Sequence, residues 1–305
     1  MATTTPDSAA PTAAAPPDFA QWLAALRPQL HRYCARMTGS IFDGEDAVQE
    51  TLLKAVEAFP GFAALDHPEA WLFRVAHNAA MDLLRGRARL GATTEENVLD
   101  EIADPASPLE ARIAAGAALG TFMQIAPAQR SSVILMDVLG YSLQEVCAIT
   151  GRNLPAVKAS LHRGRSRLRE IGAEERAADR EAPGLAPAER ELLAAYVARF
   201  NARDFDAVRD MLAEEVRLEL VARTRMNGKA EVGTYLGNYA KSRDWTMTAG
   251  SVEGRPAAIV TAPGPQAQPV YLIVLRWRER GVVEIRDFRY ARYVMETAQV
   301  QVMGT

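Results

Sequence analysis

The sequence predicts a multidomain chain: two all-α modules, the second built on a helix-turn-helix, followed by an α+β domain shaped as a cone or open barrel. Three observations carry this. Apolar residues recur at helical spacing from Asp18 to about Glu170, two capped helices divided by a glycine stand between Ser142 and Glu170, and strand-like runs are confined to the chain beyond Val216. With 305 residues, 49% apolar and 24% charged, the chain can bury two or three hydrophobic cores and keep a wetted surface.

Residues 1 to 17 are Ala, Thr and Pro in a polar context and read as a disordered tail. Helical spacing begins near Asp18, with Phe19, Trp22, Leu23, Leu26 and Leu30 on one face. A second helix is expected from about Gly44, capped by the Asp43 carboxylate and running through Ala47, Val48, Leu52 and Val56 until Pro60 and Gly61 end it. His67-Pro68-Glu69-Ala70 announces a third, because proline in a first turn loses no hydrogen bond and Glu69 suits the helix dipole. It carries Trp71, Leu72, Val75, Ala79, Leu83 and Leu84 up to Gly86. Residues 18 to 90 therefore read as one bundle, and 91 to 108, rich in glycine, acids and proline, as a flexible linker to a separate compact body.

That second body spans 109 to 171. A helix over 109 to 125 is followed by one opened by Pro127 and carrying Val133, Ile134, Met136 and Leu139. Ser142 with Glu145 three residues on makes a capping box, and Gly151 stops the short helix between. Asn153 caps the last helix, 154 to about 170, with Pro155 in its tolerant first turn, so the pair is a helix-turn-helix. A linker of Ala, Glu and Pro covers 172 to 187. The domain at 188 to 295 combines helical stretches at 189–201 and 205–212 with strands at 216–222, 245–253, 257–260, 270–277 and 281–290, which implies helices on a curved antiparallel sheet. Residues 296 to 305 read as a C-terminal tail.

A net charge of −3 argues against coating nucleic acid by charge alone, since non-specific affinity rises with the phosphates neutralised, but it permits a basic patch. Residues 152 to 170 supply one: Arg152, Lys158, Arg163, Arg165, Arg167 and Arg169 against the acid Glu170. A positive helix set by a tight turn suits the major groove, so Lys158, Ser160, His162, Arg163, Arg165 and Arg167 are the candidate DNA contacts, with Val157, Leu161 and Leu168 turned to the core. A solvated arginine-rich helix end explains the charge but not the capped turn before it. On the third helix Arg74, Asn78, Asp82 and Arg85 share a stripe. Amides and guanidiniums read bases and a carboxylate can hold an arginine's fork, although an ordinary polar face has the same composition. The run Asp43-Gly-Glu-Asp-Ala-Val-Gln-Glu50 fits acids at a helix start and equally a docking face for a basic protein, through Asp46, Gln49 and Glu50.

Cys34 and Cys147 lie in helical segments and read as reduced buried thiols, and the four histidines lack metal-ligand spacing. No metal or cofactor is expected. Neither a secretory signal nor a membrane-spanning run is seen, which points to the cytoplasm. In the C-terminal domain Tyr235, Asp244, Tyr271 and Asp287 are a candidate pocket, with Tyr239 and Glu284 nearby in type but in no diagnostic motif, and the chain is read as not an enzyme.

Tyr33-Cys-Ala-Arg-Met-Thr-Gly-Ser40, Asp43 to Glu50, and Ala70-Trp-Leu-Phe-Arg-Val-Ala-His-Asn-Ala-Ala-Met-Asp-Leu-Leu-Arg85 resemble region 2 of the extracytoplasmic-function group of bacterial sigma-70 factors. Residues 121 to 169, with Tyr141-Ser-Leu-Gln-Glu-Val146 and Val157-Lys-Ala-Ser-Leu-His-Arg-Gly-Arg165, resemble region 4. The resemblance implies that Asp46, Gln49 and Glu50 face the β′ subunit of core RNA polymerase, that Arg74, Asn78, Asp82 and Arg85 lie in the helix reading the -10 element, and that the basic helix reads the -35 element. Pro155-Ala-Val-Lys-Ala-Ser160 departs from the usual opening of that last helix, so a hydroxyl and an arginine commonly available for DNA are missing and the preferred -35 sequence is expected to differ. The C-terminal domain resembles the SnoaL-like branch of the NTF2 fold through Phe205, Val208, Leu212 and Val283-Glu-Ile-Arg-Asp-Phe-Arg-Tyr290. The implied partners are core polymerase through β′ and β, promoter DNA, and a small-molecule ligand or anti-sigma protein for regulation. The alternatives are a helix-turn-helix regulator working without sigma-type polymerase binding, and an enzyme of the SnoaL or ketosteroid isomerase sort.

Overall fold

The computed structural model describes residues 19–58, 67–88, 108–175, 185–237, 239–241, 245–262 and 268–303; the expected N-terminal tail, most of the first linker and Asp244 lie outside them. The chain divides into two compact units, Met1–Glu175 and Arg176–Thr305.

The first unit is helical: α1 (Phe19–Thr38), α2 (Ile41–Glu57), α3 (Pro68–Ala88), α4 (Pro108–Gly116), α5 (Leu119–Met123), α6 (Pro127–Val133) with a π-helical turn at Ile134–Val138, α7 (Leu143–Thr150) and α8 (Leu154–Glu175). Helix α2 starts three residues before Gly44 because Ser40, not Asp43, is its cap: the Ser40 hydroxyl accepts from the Phe42 and Asp43 amides at 3.2 and 3.3 Å. Gly44 then sits against α1, where a Cβ would fall 2.6 Å from the Ala35 backbone. The single helix expected over 109 to 125 is broken into α4 and α5.

One continuous core joins Leu30, Tyr33, Leu72 and Phe73 of α1 and α3 to Phe122, Ile134, Val146, Val157 and Leu161 further along. The two helical modules expected as separate bodies on a tether are therefore packed as one unit. Each fully buried Leu or Phe contributes about 2 kcal/mol by leaving water. Two arginines add to the seam by answering carbonyls at or just beyond the C-terminal ends of α1, α4 and α5, where carbonyls lack a partner within the helix. The Arg130 guanidinium donates to the Met37 carbonyl and, at 2.9 Å, to that of Ile125, while Arg36 Nη2 donates to the Ala115 carbonyl at 3.3 Å. Burial lowers the Arg130 pKa to about 10, which leaves it charged at neutral pH.

The second unit holds α9 (Pro187–Asn201), α10 (Phe205–Asp210), α11 (Lys229–Leu236) and strands β1 (Leu212–Leu220), β2 (Thr224–Asn227), β3 (Thr246–Val252), β4 (Arg255–Thr261), β5 (Pro269–Arg278), β6 (Gly281–Asp287) and β7 (Val300–Val302). They form one seven-stranded sheet in the order β2-β1-β6-β5-β4-β3-β7. The sheet is mixed rather than antiparallel throughout, because β1 pairs parallel to β6. Alternation sets its inner face: Val216, Leu218 and Leu220 of β1 are buried, and with Tyr196, Phe200, Trp245, Ile273 and Ile285 they make a second core. The tail expected after residue 295 supplies β7, which pairs with β3. Strand β2 and helix α11 were not expected either; Ala222 and Gly228, at φ 68° and 86°, turn the chain at their ends.

Candidate nucleic-acid interface

The helix-turn-helix forms as its capping residues dictate. Glu145 accepts from the Ser142 amide at 2.8 Å and its own amide donates to Ser142 Oγ at 3.3 Å, closing the capping box. Gly151 takes the left-handed conformation at φ 71°, and Asn153 Oδ1 accepts from the Ala156 amide at 2.9 Å to start α8. Along α8, Lys158, His162, Arg163 and Arg167 are half-buried and Arg169 is exposed.

Two of the expected DNA contacts on this helix do not reach solvent. Ser160 is buried, and the Arg165 side chain, 4% exposed, is bidentate to the fully buried Asp137 carboxylate, with Nε to Oδ2 at 2.9 Å and Nη2 to Oδ1 at 2.6 Å. Gly164 is the cause: a Cβ there would stand 2.7 Å from Val133 Cγ2, so α8 lies close on α6 and carries its neighbours in. The signal was present in the spacing, since Arg165 is four residues from Leu161 and three from Leu168 on the apolar stripe.

On α3 the stripe Arg74, Asn78, Asp82 and Arg85 is exposed throughout, opposite the buried Leu72, Phe73, Ala76, Ala79 and Ala80. Arg85 Nη1 donates to Asp82 Oδ1 at 2.8 Å, an exposed pair worth at most about 1 kcal/mol that mainly orients the guanidinium. The buried side of α3 meets α7. Phe73 packs edge-on to Tyr141 at 5.1 Å between ring centroids, and Tyr141 donates to Glu69 Oε1 at 2.6 Å. Between the faces, His77 Nδ1 lies 2.7 Å from the Tyr33 hydroxyl; burial, helped by the charges of Arg85 and Arg152, lowers its pKa to about 4.

The acidic run of α2 divides. Glu45 is buried against Arg27 and Asp43 pairs with Arg87, whereas Asp46 and Glu50 are exposed and Gln49 is half-buried. The outward face continues through Leu53 and Val56, 60% and 57% exposed. Val56 was expected on the core side of α2, so the helix presents an acidic stripe ending in apolar side chains.

In the second unit the structure brings Tyr235, Tyr271 and Asp287 together and adds Tyr239. Asp287 is buried; its Oδ2 accepts from Tyr239 at 2.6 Å and Tyr235 at 3.0 Å, its Oδ1 accepts from the Arg289 amide at 2.9 Å, and Tyr271 donates to the Tyr239 hydroxyl at 3.5 Å. Burial raises the carboxyl pKa against the opposing pull of these donors, and burial likewise raises the tyrosines. Glu284 pairs instead with Arg276 at 2.7 Å. Among the described residues no group of three or more His, Cys, Asp or Glu side chains can hold a metal ion, and no helix is long and apolar enough to cross a membrane.

Residues 22–90 match the family described as Sigma-70 region 2, and residues 121–168 match Sigma-70, region 4. The chain is 33% identical over 228 residues to the ECF RNA polymerase sigma factor SigG of Mycobacterium tuberculosis, a match covering 67% of this chain and 61% of that protein's length. It is 31% identical over 143 residues to SigM of the same species, covering 47% of this chain and 71% of SigM. Among solved structures, the extracytoplasmic function sigma factor SigJ of M. tuberculosis matches with 21% identity and a TM-score of 0.33, over 88% of this chain and 95% of SigJ. A candidate ketosteroid isomerase from Kribbella flavida matches at 24% identity and a TM-score of 0.27, over 32% of this chain and 75% of that one. With a buried carboxyl linked to tyrosine hydroxyls in the second unit, the expectation that the chain is not an enzyme is withdrawn.

Proposed function

Because the chain belongs to the extracytoplasmic-function group of the sigma-70 family, with an NTF2/SnoaL-like domain attached, we propose that it directs core RNA polymerase to specific promoters. The observation that supports this best is the joint exposure of the α3 stripe Arg74, Asn78, Asp82 and Arg85 and the acidic stripe Asp46 and Glu50. In this reading α2 docks on the basic clamp of the β′ subunit with Asp46, Gln49 and Glu50, its apolar Leu53 and Val56 filling the centre of the contact. Helix α3 reads the -10 element, and Lys158, His162, Arg163 and Arg167 of α8 meet the -35 element, some on phosphate and some on base edges.

The packed first unit is a resting form in this account. Elements about 25 base pairs apart are separated by about 85 Å of duplex at 3.4 Å per pair. A compact body of the roughly 130 residues described in this unit has a radius of gyration of only about 14 Å. The contact between α3 and the turn before α7, through Phe73 and Tyr141, therefore has to open before both elements are gripped, and tethering then raises the effective concentration of the second contact. The second unit, its sheet curling into the cone of its fold class, tunes this activity through a ligand or by masking a binding face, which requires different contacts in the two states.

The test adds the full chain, and a version ending at Glu175, to core polymerase and sequences the transcription start sites. Specific starts from either form are expected. Absence of specific starts from both overturns the reading.

A further inference from the structure

A second recognition surface lies at the end of β6, where Arg289, Tyr290, Arg292 and Tyr293 line an open concavity of about 580 Å³. That is the size of small-molecule sites. Three guanidiniums stand on tyrosine rings there: Arg289 5.3 Å from the Tyr239 centroid, Arg292 5.9 Å from Tyr271 and Arg223 4.5 Å from Tyr290. A ring beneath a guanidinium fixes its plane; Arg292 Nε donates to the Arg289 carbonyl at 3.3 Å and the Arg289 side chain bonds Tyr239, which further orients the two forks, and their remaining N–H groups can meet an anion. Of the neighbouring acids, Glu219 pairs with Arg225 at 3.0 Å and Arg286 at 2.8 Å, and Asp287 is taken up by Tyr235 and Tyr239. Asp287 thus holds Tyr239, and through it Tyr271, under the two arginines. Tyr290, 44% exposed, and the half-buried Tyr293 offer apolar ring area beside this charge.

We propose that this concavity binds a small aromatic carboxylate, its carboxylate gripped by Arg289 and Arg292 and its ring against Tyr290 and Tyr293. The carboxylate matches the planar fork of arginine, and a concavity of this volume suits a small molecule rather than a nucleic-acid backbone. The site is independent of the promoter reading, since it uses none of the residues of the first unit.

Calorimetric titration of the full chain with 2-naphthoate and with the neutral 2-naphthamide tests it. Saturable one-to-one binding of 2-naphthoate is expected, with the amide at least about tenfold weaker because it lacks the charge that arginine recognises. Arg292→Gln, at an exposed position, should weaken 2-naphthoate at least about tenfold with an unchanged melting temperature, and Arg292→Lys less because the fork is lost but the charge kept. Failure of 2-naphthoate to saturate, equal binding of acid and amide, or an Arg292→Gln variant that binds like the parent each overturns the proposal.

Discussion

Replacing Arg165 by alanine separates a structural role from a DNA-reading one. Its guanidinium is the bidentate partner of Asp137, and both side chains are within a few per cent of complete burial. Truncation leaves the Asp137 carboxylate in the core without its counter-charge, at a cost of about 3–5 kcal/mol. Against a typical domain stability of about 5–15 kcal/mol that is a large fraction. For a unit of this size it lowers the melting temperature by roughly 6–20 °C. The assay is thermal unfolding of the full chain, following the transition of the helical unit, beside anisotropy titrations with a promoter duplex well below that transition. Lys158→Ala, on the half-buried outer side of α8, is the comparison: it should melt within about 0.5 kcal/mol of the parent yet bind duplex more weakly. Replacing both members of the pair, Asp137→Leu with Arg165→Met, should recover most of the loss, because a packed apolar pair removes the desolvation penalty. An Arg165→Ala chain that melts like the parent but loses duplex binding as Lys158→Ala does would show that Arg165 leaves the core to meet DNA, and the structural assignment would fall.

Asp46→Lys with Glu50→Lys should weaken core polymerase binding at least about tenfold by reversing an exposed acidic stripe, with duplex binding unchanged; loss of both or of neither counts against the docking face. Tyr141→Ala removes the edge contact with Phe73 and the hydrogen bond to Glu69, together about 2–4 kcal/mol of the closed form, so small-angle scattering should show a larger radius of gyration and polymerase affinity should rise; no change in either excludes the latch. His77 has its pKa lowered from 6.5 to about 4, so the unfolded chain takes up a proton in this window while the folded chain does not. Its contribution to stability is intact above pH 6.5 and falls on acidification towards pH 4, by at most about 3 kcal/mol. His77→Gln should flatten that slope in pH-dependent urea unfolding, and an unaltered slope refutes the assignment. Gly44→Val places a side chain into the Ala35 backbone and should destabilise the α1–α2 pair by about 1–3 kcal/mol or more, read by the same unfolding; a neutral result means that the helices separate freely.

Features written in local chemistry can be read from the residues alone. The capping box at Ser142 and Glu145, the stop at Gly151 and the cap at Asn153 place the helix-turn-helix because each satisfies backbone groups within a few residues of itself. The α3 stripe was legible for a similar reason, since spacing along one helix decides which side chains share a face, and the apolar positions of α3 leave one face for Arg74, Asn78, Asp82 and Arg85. Strands β3 to β6 were found from their runs of β-branched and aromatic residues, but β7 was not, because three residues have too little pattern and are held only by pairing with β3. Tertiary structure decided the rest through contacts between residues far apart in the chain. It turned Arg165 into a core residue by way of Gly164 and Val133, set Val56 outside, joined the helical modules through Phe73 and Tyr141, and gathered Tyr235, Tyr239 and Tyr271 around Asp287. A charge on a helix reads as exposed until the partner that neutralises it is known, and Asp137, 28 positions from Arg165, is brought beside it only by the close packing of α6 on α8.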